Sequence, residues 1–564
     1  MNKDMHNLWE QAYPDGLEWE LSALDHPVHH IIENTARQYP ERPCLDFQNT
    51  KYTYSEVVEK IDRFAAGLQH AGIKKADRIG LCLPNCPYYV ICYFAALKIG
   101  AVVVNFNLLY TQSEIEQQMK DSGVVMMITL DLKFTFNKIY PSLRKGTLDA
   151  IIYCPLSDLL PPLKRFLFKV FKFYQLASMA PDSKLYSFRQ LSAIAPKPQE
   201  VVIDPLKDIA LFQYTGGTTG TPKAAMLTHS NIVSNTEQVN LWFQTGERLS
   251  GQEKILAVLP FSHVFSMTVA MNMSLRSGAE IILVPRFELK QCLQLIKQKQ
   301  ITILPGVPAI FNALNNSPAV DCLTTLRYGI CGGAALAVKI KEIFEARTNC
   351  KLVEGYGLSE ASPVITCNPP NSGGKKGSIG LPLPGTEIAF RNIDDVNQPE
   401  QQGKNGQLLV RGPQIMQGYW NRPRENQQTL LDGGWLVTGD VGYMDDDGFV
   451  YLTDRLKDII ITNGYNVYPR VIEDAFYAHP EVAEVIAIGI PDDDKGEVPK
   501  VFVKLKEGSD TTVEELLEYA SSNLNPLEIP DSIELRKELP KTLIGKPSKK
   551  VLLEQEASKR KNQA

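Results

Sequence analysis

The chain has 564 residues, of which 44% are hydrophobic and 22% are charged. Such a composition can bury a large core, and the length favours two to four domains. The net charge of -5 argues against a general nucleic-acid-binding protein, so we expect no nucleic-acid partner. Ten cysteines without paired spacing indicate reduced thiols, and no apolar run has the length of a signal peptide core or a membrane span. We therefore expect a soluble, cytoplasmic protein.

Strand-like apolar runs alternate with helical patterns along the first 450 residues. RIGLCL (78–83) and AVVVN (101–105) flank a helical pattern at 88–100. Further apolar runs of strand length are DAIIYC, EIILVP and ITILPGVP. This alternation predicts parallel-rich sheets covered by helices, in a mixed α/β fold. GQLLVRG and GFVYLTD, which lie between turn residues, predict a later antiparallel part.

The composition changes after Asp454, and the last hundred residues predict a second domain. A helix, a strand and a further strand (KVFVKLKEG) follow one another there, which is enough for a small α/β domain. We therefore divide the chain into residues 1–455 and 456–564.

Residues 159–177, LLPPLKRFLFKVFKFYQLA, form an unusual insert. On a helix, its large apolar side chains share one face with basic flanks. The face comprises Phe166, Leu167, Val170, Phe171 and Tyr174, and the flanks comprise Lys164, Arg165 and Lys169. A segment of this kind can lie in a membrane interface, so it predicts peripheral membrane contact. The alternative is a surface helix that packs on its own domain.

The stretch YTGGTTGTPK, from Tyr214 to Lys223, has the ingredients of a phosphate-binding loop. Backbone amides beside glycines, hydroxyl groups and a lysine charge can all bind an anion. These groups belong to Gly216, Gly217 and Gly220, to Thr215, Thr218 and Thr219, and to Lys223. The Walker spacing is not met, because Ala224 follows the lysine. The strand-like residues before the loop and the helical run from Thr228 predict a strand-to-helix transition; the alternative is a turn without a ligand.

This stretch resembles the signature loop of the adenylate-forming enzymes, the superfamily of acyl-CoA synthetases, luciferases and peptide-synthetase adenylation domains. Six further motifs of that family follow in order. They are LPFSHVF (259–265), GICGGAA (329–335), EGYGLSE (354–360), WLVTGD (435–440), DRLKDIIITNGYNVYP (454–469) and PKTLIGK (540–546). The resemblance covers nearly the whole chain. It implies a large N-terminal domain with parallel-rich sheets and a small distorted β-barrel, followed by a small mobile C-terminal α/β domain.

The resemblance implies that most of these residues bind ATP. Tyr356 would stack on adenine, and Asp440 with Arg455 would bind the ribose hydroxyls. Gly332, Gly333 and Ala334 would let the base lie close to the backbone, beside Tyr214, Gly355 and Gly357 of the same motifs. Two alternatives stay open here, a simple turn at Gly332 and a surface ion pair at Arg455.

The phosphates would be bound by a second group of residues. Thr215 and Glu360 would hold Mg²⁺, because hard cations prefer oxygen ligands. Thr218, Thr219 and Lys223 would bind the departing pyrophosphate, with Gly216, Gly217 and Gly220 beside them. Ser359 would contact the α-phosphate.

Two half-reactions and a moving domain are also implied by the resemblance. Lys546 would stabilise the transition state in which a carboxylate attacks the α-phosphate. The small domain would then rotate about a hinge near Lys457 and present Gly464 to the thiol of CoA. For Lys457, a plain linker lysine is the alternative.

His263 would close the carboxylate end of an acyl pocket; a core histidine is the alternative. Nearby apolar residues fit a hydrocarbon tunnel as well as a packed core. They are Phe261, Val264, Phe265, Met267 and Met271. The motifs are most like those of long-chain fatty acid–CoA ligases, which implies ATP, Mg²⁺, CoA and a long-chain fatty acid as ligands. A fatty acyl-AMP ligase or an enzyme that loads a carrier protein is the alternative, and a homodimer is a further expectation.

Overall fold

The computed structural model describes residues 8–179, 182–215, 222–244, 252–371, 374–393, 395–396, 398–463, 465–492, 494–541 and 548–563. The strands are β1 (Pro43–Phe47), β2 (Thr50–Thr53), β3 (Arg78–Cys82), β4 (Val102–Asn105), β5 (Met126–Leu130), β6 (Ala150–Cys154), β7 (Leu185–Ser187), β8 (Ile209–Thr215), β9 (Lys223–Thr228), β10 (Lys254–Ala257), β11 (Glu280–Leu283), β12 (Ile303–Gly306), β13 (Tyr328–Cys331), β14 (Lys351–Gly357), β15 (Val364–Cys367), β16 (Leu381–Pro382), β17 (Glu387–Arg391), β18 (Gly406–Arg411), β19 (Leu430–Leu431), β20 (Trp435–Met444), β21 (Val450–Arg455), β22 (Ile460–Thr462), β23 (Tyr465–Val467), β24 (Val482–Asp492), β25 (Gly496–Leu505) and β26 (Ser532–Leu535).

The main helices are α1 (His30–Gln38), α2 (Tyr54–His70), α3 (Pro87–Lys98), α4 (Gln112–Ser122), α5 (Lys133–Arg144), α6 (Pro162–Phe171), α7 (Phe188–Ser192), α8 (His229–Phe243), α9 (Met273–Ser277), α10 (Leu289–Lys299), α11 (Pro308–Asn315), α12 (Val338–Thr348), α13 (Pro423–Thr429), α14 (Pro469–Tyr477), α15 (Val513–Asn523) and α16 (Lys549–Gln563). A π-helix, Ser266–Asn272, precedes α9. The expected strands at 78–83 and 101–105 and the helix between them are confirmed as β3, β4 and α3.

Two large sheets form the N-terminal domain. One has seven strands in the order β7-β6-β5-β3-β4-β8-β9, and the other has nine in the order β16-β15-β14-β13-β12-β10-β11-β1-β2. Most neighbouring strands are parallel, and their apolar runs are buried on both faces because helices cover them. Helix α3 is buried almost all around, which explains its continuous apolar sequence. The predicted mixed α/β architecture is confirmed.

A third sheet completes the large domain. Strands β17, β18, β20 and β19 pair in that order and β21 pairs with β20, all of them antiparallel. This is the antiparallel part predicted from GQLLVRG and GFVYLTD, which form β18 and β21.

The small C-terminal domain has its own sheet, in which β23, β22, β25 and β24 are neighbours and β26 pairs with β25. Apolar side chains form a separate core on each face. One core includes Ile460, Ile472 and Phe476, and the other includes Phe502 and Leu552. The division after residue 455 stays a prediction.

The prediction of a strand-to-helix transition at the phosphate-loop stretch is wrong. Strands β8 and β9 are antiparallel neighbours with Thr215 opposite Lys223, so the stretch joins the two strands of a hairpin. Helix α8 begins only after β9, where the Thr228 side chain and Asn231 form a reciprocal cap. The run KAAMLT is therefore the sheet strand β9, which is mostly buried and pairs with β8.

Within the described ranges, the model contains no helix that combines the length and the apolar character needed to cross a bilayer. The 159–177 insert forms helix α6 with a short 3₁₀ turn on either side, Leu156–Leu159 and Phe173–Gln175.

Candidate active site

A cavity of about 790 Å³ lies where the strand ends of the large domain meet the small domain. It brings together motifs that are more than two hundred residues apart in sequence. Of the predicted site residues, its lining contains Tyr214, Thr215, Lys223, His263, Gly332, Gly333, Ala334, Gly355, Tyr356, Gly357, Ser359, Glu360, Asp440 and Arg455. Gly216, Gly217, Thr218, Thr219, Gly220, Gly464 and Lys546 lie outside the described residues. Lys457 is exposed, on the 3₁₀ turn Leu456–Asp458 that follows Arg455.

One end of the cavity is organised around the carboxylate of Asp440. Asp440 on β20 lies opposite Arg455 on β21, and the Arg455 Nε is 3.1 Å from Asp440 Oδ1. The Tyr356 hydroxyl donates a hydrogen bond to Asp440 Oδ2. Burial raises the pKa of Asp440, and the Arg455 charge opposes that rise. Arg455 therefore forms an ion pair inside the site wall, and the three side chains present an aromatic ring beside a fixed carboxylate.

The glycine-rich turn after β13 lies close to β14. A Cβ on Gly332 would be 3.2 Å from the Phe265 ring and 3.3 Å from the carbonyl oxygen of Gly355, while Gly333 has φ of 82°. Gly332 thus serves a close approach, and Gly333 makes the turn. The turn is held by Glu354, whose Oε1 accepts a hydrogen bond from the Leu336 amide. Burial raises the pKa of Glu354 to about 7.

A second polar group surrounds Glu360. The Tyr419 hydroxyl donates to Glu360 Oε1 at 2.6 Å, and the Lys223 ammonium lies 5.2 Å from the centre of the Tyr419 ring. Burial and the Glu360 charge both raise the pKa of Tyr419, so the phenol keeps its proton and remains a donor. Thr215 ends β8 in the same lining, next to the turn that carries Glu360. Oxygen donors and a cation therefore share this end of the cavity.

His263 is half-buried in the lining, so the core-histidine alternative is wrong. Its Nδ1 accepts from the Phe265 amide at 3.3 Å, which assigns the proton of the neutral ring to Nε2. The preceding carbonyl, of Ser262, accepts from Gln213 Nε2 at 3.1 Å. Asn105 Nδ2 donates to Gln213 Oε1 in turn, so two strand ends of the seven-stranded sheet position the histidine segment.

The rest of the lining is apolar. Val264 and Phe265 belong to it, whereas Phe261, Met267 and Met271 are fully buried outside it, so of the two alternatives the packed core applies to those three. The π-helix and its preceding turn direct these three side chains into the core between the sheets. Other apolar lining residues come from α8, from the π-helix, from strands of the nine-stranded sheet and from the residues that flank β16, namely Val239, Trp242, Phe243, Val269, Ile330, Val364, Cys367, Ile379 and Leu383.

Two family models match most of the chain. The model described as AMP-binding enzyme matches residues 32–420, and the one described as AMP-binding enzyme C-terminal domain matches residues 471–546. The chain belongs to the AMP-binding enzyme family. The resemblance drawn from the seven motifs is thereby confirmed.

Curated relatives match this AMP-binding enzyme over nearly its full length. It is 40% identical to the long-chain-fatty-acid–CoA ligase of Bacillus subtilis (strain 168), covering 97% of this chain and 98% of that protein. It is 34% identical to the long-chain-fatty-acid–CoA ligase of Escherichia coli O157:H7, covering 99% of this chain and 100% of that protein.

Solved structures share the fold. ATP-bound MatB from Rhodopseudomonas palustris has a TM-score of 0.82 at 25% identity, covering 94% of this chain and 99% of that one. O-succinylbenzoate coenzyme A synthetase from Bacillus subtilis, in complex with ATP and magnesium ion, has a TM-score of 0.77 at 25% identity, covering 94% and 100%.

The small domain contributes the opposite wall of the cavity in this AMP-binding enzyme. Lys549, at the start of α16, lies 3.5 Å from Glu473 and 3.8 Å from Asp454, the latter at the end of β21. Burial alone would lower the pKa of Lys549, but the charges of Glu473 and Asp454 raise it. The Arg470 amide donates to Asp454 Oδ2, and its guanidinium donates to the Leu452 carbonyl. Charged and polar groups thus connect the two domains beside the site.

Several lining residues were not among the predicted ones. Glu354 begins a recognised motif, and its position between apolar strand residues could have marked it as a buried acid. Tyr419 and Trp242 carry no such signal, because only the folding of distant segments brings them to the cavity.

Proposed function

We propose that this protein activates long-chain fatty acids to acyl-CoA with ATP, in two steps. The observation that carries the proposal is a single cavity with a polar end, at Asp440 and Glu360, and an apolar end beside His263. A cavity of this kind fits a nucleotide and an acyl chain that meet at the histidine. The full-length similarity to long-chain-fatty-acid–CoA ligases supports this assignment.

In the first step, a carboxylate oxygen of the fatty acid attacks the α-phosphorus of ATP. A bond forms between them, the bond to pyrophosphate breaks, and acyl-AMP results. His263 would orient the carboxylate from Nε2, while Asp440 and Arg455 hold the ribose and Tyr356 stacks on adenine. Lys546 would stabilise the charge that gathers in the transition state. Ser359 would contact the α-phosphate. Lys223, together with Thr218 and Thr219, would contact the leaving pyrophosphate.

The residues near Glu360 fit a bound Mg²⁺. A carboxylate and the hydroxyl of Thr215 are hard oxygen donors in one lining, and Lys223 lies close enough to share the phosphate charge. Mg²⁺ would supply neutralisation of phosphate charge there. The protein side chains fix the position of the phosphates, and Tyr419 fixes the Glu360 carboxylate.

In the second step, the sulfur of CoA attacks the acyl carbonyl, and the bond from that carbon to the AMP oxygen breaks. We propose that the small domain rotates near Lys457 between the steps and brings Gly464 to the site. Two observations on the small domain support this proposal. The Lys549 end of the domain lines the cavity, whereas Ile461 and Tyr465, on either side of Gly464, are 54% and 64% exposed.

The direct test is incubation with ATP, Mg²⁺ and palmitate, with and without CoA. Formation of AMP together with palmitoyl-CoA supports the ligase. Acyl-AMP that never transfers to CoA would favour the alternative, a fatty acyl-AMP ligase or an enzyme that loads a carrier protein. Absence of AMP in both arms contradicts both functions.

Two finer statements also belong to the proposal. We propose peripheral contact with a membrane through residues 159–177, because large apolar side chains of this segment are exposed. A homodimer remains an expectation of the family resemblance, and light scattering of the purified protein would test it.

A further inference from the structure

Asp121 stands at a position that its own helix does not favour. It lies in the last turn of α4, which ends at Ser122 and is followed by Gly123 in the left-handed conformation, with φ of 65°. A carboxylate at the C-terminus of a helix opposes the helix dipole, so α4 itself does not stabilise this charge. Its partners lie elsewhere in the chain, on β8 and in the segment 416–422 that precedes α13.

The first strand of the phosphate-loop hairpin is attached to this carboxylate. The Tyr214 hydroxyl donates a hydrogen bond to Asp121 Oδ2 at 2.7 Å. Tyr214 lies on β8, one residue before Thr215, the last residue of that strand. Burial, together with the Asp121 carboxylate, raises the pKa of Tyr214, so the phenol keeps its proton and remains the donor. Asp121 therefore fixes a side chain next to the end of the strand.

The second strand of the hairpin is connected to the same residue through segment 416–422. This segment lies beside β9, with an antiparallel bridge and a hydrogen bond of 2.9 Å from the Trp420 amide to the Ala224 carbonyl. The Trp420 indole Nε1 in turn donates to the backbone carbonyl of Asp121 at 3.2 Å. Both strands of the hairpin are thus connected to one residue of α4.

An ion pair completes the contacts of the carboxylate. Arg422 Nη2 donates to Asp121 Oδ1 at 2.8 Å, so the two carboxylate oxygens have different partners, Arg422 and Tyr214. The side chains of Asp121 and Arg422 are each only 24% exposed. Hydrogen bonds to a charged group are stronger than neutral ones. An amide of the same shape could not keep both partners, because it has one acceptor oxygen.

Segment 416–422 also contacts the carboxylate that is proposed to bind Mg²⁺. The amide of its first residue donates to the Glu360 carbonyl at 2.9 Å, and the Tyr419 hydroxyl donates to the Glu360 carboxylate. The Lys223 ammonium lies over the ring of Tyr419. One segment therefore positions Glu360 and Lys223 relative to each other, and Asp121 anchors that segment.

We infer that Asp121 is a positioning residue for the phosphate end of the active site, where it holds the base of the hairpin so that the phosphate-loop stretch and Lys223 meet the β- and γ-phosphates of ATP. Its role in adenylation rests on the proposed function, whereas its effect on ATP binding can be measured without an acid. The adenosine end of the cavity is formed by other strands, β14, β20 and β21. A change at Asp121 should therefore affect the phosphates and spare the adenosine.

Calorimetric titration of the full-length protein with ATP and Mg²⁺, and separately with AMP, tests this assignment. Asp121→Asn should raise the Kd for ATP about tenfold, as for loss of one hydrogen bond to a charged group. The Kd for AMP should rise less than twofold, because AMP has no pyrophosphate portion. Glu116→Gln is the matched control, since Glu116 lies on the same helix and pairs with Lys145 at 2.9 Å, and it should bind both nucleotides like wild type. An equal loss for ATP and AMP, or unchanged ATP binding, would overturn the inference.

Tyr214→Phe removes the other end of the same hydrogen bond and should also weaken ATP binding more than AMP binding. In the double variant with Asp121→Asn, the Kd for ATP should match that of the weaker-binding single variant, because the two residues share one interaction. Effects that multiply in the double variant would contradict the coupling. If circular dichroism shows that Asp121→Asn does not fold, the ratio of the ATP and AMP losses in Tyr214→Phe decides the inference.

The two half-reactions test the same role during turnover. Pyrophosphate exchange with palmitate at low ATP concentration should be about tenfold slower in Asp121→Asn. Thioester formation from supplied palmitoyl-AMP should stay near the wild-type rate, because acyl-AMP lacks the pyrophosphate. An equal loss of both half-reactions would identify Asp121 as merely structural and overturn the inference. If the wild type shows no exchange with palmitate but Asp121→Asn still weakens ATP binding alone, the proposed function fails while the positioning role stands.

Discussion

The two walls of the active-site cavity are held in place in different ways. The large-domain wall is made of strand ends and turns that rise from a continuous hydrophobic core, and its polar groups are fixed within it, as Asp440 is by Tyr356 and Arg455. The small-domain wall meets it through charged contacts, chiefly Lys549 with Asp454 and Arg470 with Leu452. A packed core resists displacement, whereas water can replace polar contacts at low cost. One wall is therefore suited to hold the adenosine part, first of ATP and then of acyl-AMP, and the other wall is suited to exchange.

The sharpest test of this contrast is Lys546→Ala in the small domain. We expect adenylation to fall about 10²- to 10³-fold, the range for loss of one electrostatic stabiliser of a transition state. Thioester formation from supplied acyl-AMP should stay near the wild-type rate, since we propose a role for Lys546 in the first step alone. Pyrophosphate exchange measures the first step and acyl-CoA release the second.

Lys550→Ala is the control for that experiment, because Lys550 is near in sequence and pairs only loosely with Glu554, at 3.9 Å. An equal loss of both half-reactions in the Lys546 variant would count against domain exchange.

Acid should destabilise the large domain first. Burial, reinforced by neighbouring charges, lowers the pKa of His29 to about 2, and burial lowers that of His229 to about 4. Both imidazole rings are neutral in the folded protein. In the unfolded chain each histidine has a pKa of about 6.5 and takes up a proton below that pH. Stability is therefore complete above that pH and is lost as the pH falls toward 4, by about 2 kcal/mol per histidine at pH 5.

Urea unfolding between pH 8 and pH 5 measures this loss. His229→Gln keeps an acceptor for the Val28 amide, which His229 Nδ1 now binds at 3.2 Å, and should show about half of the pH dependence. An unchanged dependence in the variant would show that His229 does not cause it.

Asp440→Asn tests the fixed wall. Loss of the charge at the ribose end should raise the KM for ATP about 10- to 30-fold, the effect of weakening a charge-assisted hydrogen bond. Unlike the Lys546 change, it should also impair the second half-reaction, because acyl-AMP binds through the same ribose. Steady-state kinetics with each substrate measures both. Asp432→Asn, at an exposed position in the turn between β19 and β20, should change neither. An effect of Asp440→Asn confined to adenylation would contradict a shared ribose site.

The smallest expected effect concerns the contact between the walls. Lys549→Met leaves Glu473 and Asp454 without their shared cation, so the present arrangement of the small domain should be less populated. We expect adenylation to fall about fivefold, as for loss of a partly buried ion pair worth about 1 kcal/mol. Thioester formation from acyl-AMP should not fall, and Lys549→Arg should restore adenylation. A matching fall in both half-reactions, without rescue by arginine, would identify Lys549 as merely structural.

The sequence predicted the site better than its surroundings. Contiguous motifs contain Asp440, Tyr356 and Glu360, and the structure places all three in one lining. The hairpin at the phosphate-loop stretch was not predicted. KAAMLT has the length of a strand, but the helical run that follows it directly favoured a strand-to-helix transition. For Met267 and Met271 the sequence left tunnel and core open, since apolar character does not distinguish a cavity wall from a core, and the structure places both in the core.

The sequence by itself determined the family, the mixed α/β fold and the residue types that meet ATP, since each of these depends on local patterns and short motifs. It also showed an amphipathic basic segment near residue 165. Only the tertiary structure decided that this segment turns its apolar face outward. The structure alone also brought Tyr419 to Glu360 and Lys549 to Asp454. Such pairs depend on how distant elements pack, and no local pattern in the chain specifies that.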